Sequence, residues 1–406
     1  MPEKRLQPKS YHAFRCIGAD CDDTCCVGWL VNVDKPTYEA YQRCEDLELG
    51  PRLRELVTIN TGGPSDDNYA RIQLSGPACP FLSESLCSIQ KKLGEEYLSF
   101  MCSAYPRVTN MVDDVFQRSL DLSCPEAARI VLLNPSPMGF DADEGAPHDP
   151  RLGHMSVLRT SQSPYEHFRE LRGFAIWLLQ YRAYPVWKRL AILGSVCDEL
   201  HAMAVKGSLA GALDVLEKYR DSVGRNLLDD VLDNQPPQPE AQLEMVLELI
   251  VGRIGTDFTP QRFLDCYRQF MHGIEWTEKS SMTEIGRRYA EACSQYFAPF
   301  LNQHEYMLEH HLVSYVHRTL FPLGPQESSI RDHCMLLLVH YAVIQTVLIG
   351  VAGFHKTEFN TGHAIQVIQS ATKTFAHSLT FPAHAKKILL GHNIESCIGL
   401  AMLMRN

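Results

Sequence analysis

Between His12 and His148 the sequence has no histidine. Any metal site built from that stretch is all-thiolate unless carboxylates or the rest of the chain contribute. Positive charge is not in surplus either. Across 406 residues, 38 Lys+Arg stand against 48 Asp+Glu, a net charge of −10. That balance argues against a general binder of phosphate backbones, which needs a basic face. The opening Met1-Pro-Glu-Lys-Arg5 lacks the apolar core of a secretory leader, so the expected location is the cytoplasm. No G-x-G-x-x-G follows a strand pattern. Gly252-Arg-Ile-Gly255 and Gly350-Val-Ala-Gly353 sit in helical stretches, which disfavours a Rossmann methyltransferase or dehydrogenase. Internal repeats, low-complexity tracts and heptad runs are missing too.

What is present divides the chain in two. Hydrophobic residues make up 45% and charged ones 21%, the balance of an ordinary soluble globular protein. The length suggests two or three domains at ~150 residues each. Of 14 cysteines, nine fall in the first 124 residues: Cys16, Cys21, Cys25, Cys26, Cys44, Cys79, Cys87, Cys102 and Cys124. Histidine does the reverse, with fifteen from His154 onward. The expected fold is mainly α: a small cysteine-rich α+β module over residues 1–133, a linker over 134–160, and an all-helical domain over 161–406.

Within the module, Val27–Val33, Tyr69–Leu74 and Val115–Leu122 have the alternating or β-branched character of strands. Pro36–Cys44, Gly50–Ile59 and Ser85–Tyr97 read as helices. Prolines, glycines and acidic residues crowd 134–150, a composition that predicts a linker. Beyond it, apolar residues recur at helical spacing. Predicted helices include Tyr165–Tyr181, Val186–Val205, Glu240–Arg253, Met282–Ala298, Ile330–Gly350 and Pro382–Met404. Cys334–Gly353 is twenty residues without a formal charge, the length of a membrane span. His340, Gln345 and Thr346 interrupt it and no basic cluster flanks it, so a central helix enclosed by neighbours is expected rather than stable membrane insertion.

The strongest chemical signal is Cys16-x4-Cys21-x3-Cys25-Cys26, followed by Cys79-Pro80, Cys87, Cys102 and Cys124-Pro125. Four thiols within eleven residues are too dense for chance core packing. In a cytoplasmic chain such a cluster points to metal more than to disulfides. All-sulfur coordination fits zinc or iron–sulfur. Adjacent Cys25 and Cys26 diverge and do not suit one small ion, whereas a multi-iron cluster accepts ligands from more varied directions. The Cys-Pro steps echo the closing ligand of bacterial ferredoxin motifs. A four-iron iron–sulfur cluster is the preferred expectation, with zinc the alternative. The C-x3-C-x2-C triplet of ordinary radical S-adenosylmethionine enzymes is missing. The later cysteines, Cys197, Cys266, Cys293, Cys334 and Cys397, read as small buried hydrophobes.

In order along the chain, Cys16-Ile-Gly-Ala-Asp-Cys-Asp-Asp-Thr-Cys-Cys-Val-Gly-Trp29, Val33-Asp-Lys-Pro-Thr37, Cys79-Pro-Phe-Leu82, Leu86–Gly94, Leu98–Arg107 and Leu122–Glu126 resemble the flagellin lysine-N-methylase family, within a wider cysteine-cluster group described as zinc- or iron-chelating. Tyr315-x-x-His-Arg-x-Leu-Phe-Pro322 and the run from Leu336 to Gly350 resemble it more loosely. The resemblance implies methyl transfer from S-adenosylmethionine to lysine side chains of flagellin, with an iron–sulfur cluster on the shared cysteines. By position these are Cys16, Cys21, Cys25, Cys26, Cys79, Cys87, Cys102 and Cys124; Cys44 lies outside the pattern. For that reaction Tyr105, Tyr315, Tyr341, His317, His340 and His377 are candidate lining or catalytic groups. Each has an alternative reading as a satisfied core residue. Arg107 and Arg318 are candidates for a bidentate grip on the methyl donor's carboxylate, or for structural ion pairs. Trp29 is a candidate to stack on adenine, or core of the module. A competing expectation is a zinc- or cluster-stabilised protein-binding or redox module without methyl transfer. Flagellin is the expected partner; nucleic acid is not.

Overall fold

The computed structural model describes residues 3–28, 30–74, 76–84, 86–145, 156–161, 167–255, 259–324 and 329–406. It is mainly helical, with its strands in the front part of the chain, as expected. Two compact units result: Met1–Ala127 with Phe140–Ser156, and Ala128–Gly139 with Val157–Asn406.

The first unit holds strands β1 (Glu3–Pro8), β2 (Asn32–Val33), β3 (Val57–Ile59), β4 (Ala70–Ile72), β5 (Leu82–Ser83), β6 (Leu86–Cys87), β7 (Arg107–Val112), β8 (Val115–Leu120) and β9 (Phe140–Gly145). Strands β7, β8, β1 and β9 lie side by side in that order. β7 and β8 form an antiparallel hairpin, and β1 joins β8 in parallel from Lys4↔Val115 to Leu6↔Gln117. β9 pairs antiparallel with β1, putting Glu144 opposite Lys4 and Asp143 opposite Arg5. That pairing corrects one expectation. The acidic run after Phe140 is not pure linker, because cross-strand opposite charges stabilise it as a strand. Local composition hides this, since the partner lies at the other end of the unit.

A smaller sheet orders β2, β4 and β3 over a core of Val31, Val33, Tyr41, Leu49, Leu53, Val57, Ile72 and Phe81. Helix α1 (Lys35–Gln42) starts at Asp34, whose carboxylate accepts from the Thr37 amide at 2.9 Å. Helix α2 (Leu49–Leu56) ends earlier than its apolar pattern suggested. The β-branched Val57-Thr-Ile59 leaves it to pair with β4. Helices α3 (Ser88–Leu93), α4 (Phe100–Ala104) and α5 (Pro125–Leu132) are short.

The second unit contains α6 (Phe168–Leu179), α7 (Val186–Val205), α8 (Ala212–Gly224), α9 (Asp229–Asp233), α10 (Pro239–Ile254), α11 (Gln261–Gly273), α12 (Met282–Ala292), α13 (Ala298–His304), α14 (Tyr306–Arg318), α15 (Ile330–His355), α16 (Thr361–Phe375), α17 (Phe381–Gly391) and α18 (Cys397–Leu403). Two predicted helices are broken. A π-helical turn over Cys293–Phe297 separates α12 from α13, and a turn with Asn393 at φ 57° separates α17 from α18.

Helix α15 runs through the centre, with Leu337–Gly353 buried without interruption. It is long and apolar enough to cross a membrane, yet 94% of its most apolar window is enclosed by neighbouring chain. Its approach to α11 is close. A Cβ at Gly273 would meet the Gly350 carbonyl oxygen at 1.7 Å, and one at Gly350 would meet Phe270 Cδ2 at 2.3 Å. The Gly-x-x-Gly pattern there serves helix packing.

Around α7 and α14 lies a buried ion network. Arg182 grips Glu309 through two bonds of 2.9 Å, while Arg189 bonds Glu309 and Glu305, each at 2.9 Å. Arg189 also donates to the Tyr184 and Leu179 carbonyls, at 2.6 and 2.7 Å. Four of its five N–H groups are thus used, which is what makes such a burial tolerable.

Candidate metal centre and a buried polar cluster

The eight cysteines of the pattern come together from six stretches of the first unit. The loop after Cys16 carries Cys21, Cys25 and Cys26; the Thr24 hydroxyl accepts the Cys26 amide at 3.1 Å. The Cys79 amide donates to the Cys26 carbonyl at 2.8 Å, and an isolated bridge joins Val27 to Ala78, so these loops are zipped together. Cys87 ends the β5–β6 hairpin, where Leu82 is its cross-strand partner, and caps α3. Cys102 lies on α4, whose start is set by Ser99 accepting the Cys102 amide at 3.3 Å. Asp34 accepts the Phe100 amide at 2.8 Å through its second oxygen. One buried carboxylate therefore fixes the starts of both α1 and α4.

The electrostatics follow from this convergence. Cys26 shares side-chain hydrogen bonds with Cys25 and Cys87, which raise its thiol pKa, and burial raises it further. Cys87 is the acceptor of the pair: the bond from Cys26 brings it down to about 6, helped by amides of Gln90 and Ile89 at the helix start. Burial pushes Cys124 up to about 12, with Cys21 and Cys25 adding to the rise and amides of Ala127 and Glu126 opposing it, while Cys102 stands exposed on α4 within electrostatic reach of Cys87, Cys25 and Cys79. Cys21 and Cys79 are raised by burial and by nearby thiols, Cys16 and Cys25 for the first, Cys87 and Cys25 for the second. All eight sulfurs thus lie in one electrostatic neighbourhood, with Cys25 at its hub. Cys44 instead packs in the apolar core with Val31, Tyr41 and Leu53.

The donor set is chemically that of a soft-metal site, eight thiols with no imidazole among them. Among the described residues, however, no three His, Cys, Asp or Glu side chains stand in the arrangement that grips a single ion. The thiols share protons with one another, so gripping an ion requires their side chains to turn inward.

Tyr105 belongs to the same neighbourhood. Its hydroxyl lies 3.0 Å from Ser123 Oγ, and burial with the nearby Cys124 and Asp121 keeps the phenol protonated. Arg107, expected to offer its guanidinium to a carboxylate, lies over the Phe14 ring at 5.0 Å. Trp29 lies outside the described residues.

In the second unit Tyr315 and His340 meet, their ring centroids 5.2 Å apart, with Phe381 5.9 Å from His340 on another side. Burial brings His340 down to about 3, and the positive charges of His311, Arg318 and His377 act in the same direction. Burial lifts Tyr315 to about 12. Two sequence candidates therefore meet, Tyr315 and His340, with half-buried Arg318 and exposed His377 within electrostatic reach. Tyr341, next in sequence to His340, faces elsewhere; burial raises its phenol beside Glu305, Arg189 and Cys293. His317 is buried on α14. His311 joins the cluster without having been singled out. Its signal was available: four residues before Tyr315, it lies on the same helix face.

The second unit carries a family signature. The model of the FliB lysine N-methylase C-terminal domain matches residues 172–403. The chain belongs to the FliB lysine N-methylase family. Curated FliB relatives match over a shorter stretch. The flagellar biosynthetic protein FliU of Salmonella muenchen is 31% identical over 135 residues, 33% of this chain and 80% of that protein. Lysine-N-methylases of Salmonella typhimurium and Salmonella choleraesuis are also 31% identical over 135 residues, but the match spans only 34% of each of them. No solved structure matches. In FliB terms the buried Tyr315–His340 cluster lies inside the family domain, and the thiol neighbourhood lies ahead of it.

Proposed function

We propose that this chain transfers a methyl group from S-adenosylmethionine to the ε-amine of lysines on flagellin, in the cytoplasm, with an iron–sulfur cluster on the front thiols. The observation that carries the reading is the family domain over residues 172–403 in the same chain as eight converging thiols. The relatives named lysine-N-methylase and flagellar biosynthetic protein support the reaction and its flagellar setting.

The residues account for one difficulty of the reaction. A lysine amine has a pKa of ~10.4 and must shed its proton before its nitrogen attacks a methyl sulfonium. The Tyr315–His340 cluster disfavours cations strongly enough to hold His340 uncharged far below its ordinary range. A lysine brought into that environment is pushed the same way, toward the neutral amine, by desolvation and by Arg318. His340 then accepts or donates a hydrogen bond without carrying charge, and the protonated Tyr315 phenol orients the amine.

The Cys16, Cys21, Cys25, Cys26, Cys79, Cys87, Cys102 and Cys124 thiols are the residues to hold the cluster. When bound, such a cluster supplies a redox-active iron centre or a rigid frame for the loops. Cys26, hydrogen-bonded between two other thiols, and Cys87, whose thiol is lowered first by the bond from Cys26 and then by the Gln90 and Ile89 amides, are the pair that organises this frame.

The test is a comparison of flagellin lysine masses from a motile host with and without this gene. Added methyl mass that depends on the gene and on His340 supports the reading. Identical masses in the two strains overturn it.

A further inference from the structure

A second place in the helical unit has the build of a ligand site and belongs to neither cluster above. A cleft of about 510 Å³ opens between the π-helical turn, α13 and the start of α16. Its size falls in the range that encloses most of a small organic ligand. Tyr296, Phe300 and Phe359 line it with rings, Phe300 and Phe359 meeting edge to face at 4.7 Å. His304 stands 4.6 Å from Phe300 and adds a further planar wall.

Two backbone irregularities shape this one cleft. Pro299, without an N–H, cannot bond the carbonyl one turn back, and the helix widens into the π turn just before it. Such turns gather at functional sites. On the opposite lip, Lys356 ends α15 with φ 53° and ψ −125°, a conformation suited to glycine. Backbone in that region strains any residue with a side chain, lysine included. Packing does not explain the choice, since the side chain is exposed. Lys356 also carries the single formal charge among the described lining residues, and no carboxylate lines the cleft. Amides of Gln295, Gln303 and Asn360 complete the lining.

We infer that this cleft binds a planar heteroaromatic ring carrying an anionic group, the ring against Phe300 and Phe359 and the anion on Lys356. Two sources offer this chemistry: the adenosyl–amino-acid skeleton of the methyl donor, and a free nucleoside phosphate. The inference stands on the cleft alone and holds or fails independently of methyl transfer.

The experiment maps Lys356 acetylation by mass spectrometry in the whole chain, with S-adenosylhomocysteine, AMP or adenosine added. Equilibrium dialysis of the same three compounds runs in parallel. The expected result is protection of Lys356, over other exposed lysines, by S-adenosylhomocysteine through its carboxylate or by AMP through its phosphate, and little by adenosine, which has neither. Lys356→Gly should weaken that compound about tenfold or more while leaving thermal stability equal or higher, because glycine relieves the backbone. Protection by S-adenosylhomocysteine assigns the cleft to the methyl donor; protection by AMP alone assigns it to a separate nucleotide. Absence of binding by both S-adenosylhomocysteine and AMP overturns the inference. So does binding that neither protects Lys356 nor responds to Lys356→Gly.

Discussion

The two units solve the problem of holding a chain together in different ways. The helical unit uses apolar burial: α15 is enclosed on nearly every side, glycines let α11 approach it, and a saturated Arg–Glu network pins α7 to α14. The front unit has small sheets and short helices, and brings eight thiols together through loop-to-loop amide bonds and helix starts. Thiols that share protons contribute little cohesion by themselves. The difference teaches that the helical unit relies on helix-to-helix packing, whereas the front unit adds to a small apolar core a set of thiols that packing does not account for, the feature on which the proposed cluster rests.

The largest expected effect would break that contrast outright. Replacing Cys25 and Cys87 together by alanine should abolish metal retention and expose the front unit to limited proteolysis, while the helical fragment stays resistant. If both units became protease-sensitive together, their independence would be lost. In the helical unit, Arg189→Met leaves two buried carboxylates short of their partner and should cost ~3–5 kcal/mol in urea unfolding. Metal content per folded chain should not change. A smaller loss, ~1–3 kcal/mol, is expected from Gly350→Val, whose side chain has no room against Phe270.

The last effect concerns pH and is the smallest only per pH unit. His340 titrates near 3 when folded and near 6.5 when unfolded, so the unfolded chain binds the extra proton between those values. Stability should therefore rise with pH through that window, by at most ~1.4 kcal/mol per pH unit from this group, and level off above it. Urea midpoints of the native chain and His340→Gln, compared from pH 4 to 7, should show a shallower slope for the variant. Parallel slopes would remove His340 from the account.

Much of this architecture was legible in the sequence because it repeats locally. The apolar spacing of Val186–Val205 matches α7 residue for residue, and Tyr69–Leu74 contains β4. The density of thiols in Cys16–Cys26 stood out locally, whereas leaving Cys44 aside came from the family resemblance, and in the fold Cys44 packs in the apolar core. What escaped depends on distant partners or on register. Strand β9 exists because β1 offers opposite charges across it. The π turn escaped because apolar spacing runs on through it. His340 and Tyr341 looked equivalent in sequence, yet consecutive helical residues point about 100° apart, and they serve different networks. Asp34, which accepts from both the Thr37 and Phe100 amides, links the starts of α1 and α4, a pairing that required the fold.

The most direct test of the central claim is iron, zinc and acid-labile sulfide analysis of the chain purified without oxygen. The account predicts iron and sulfide in near-equal amounts, both lost when Cys25 and Cys87 are replaced. Stoichiometric zinc without sulfide, or a folded front unit holding no metal, would contradict it.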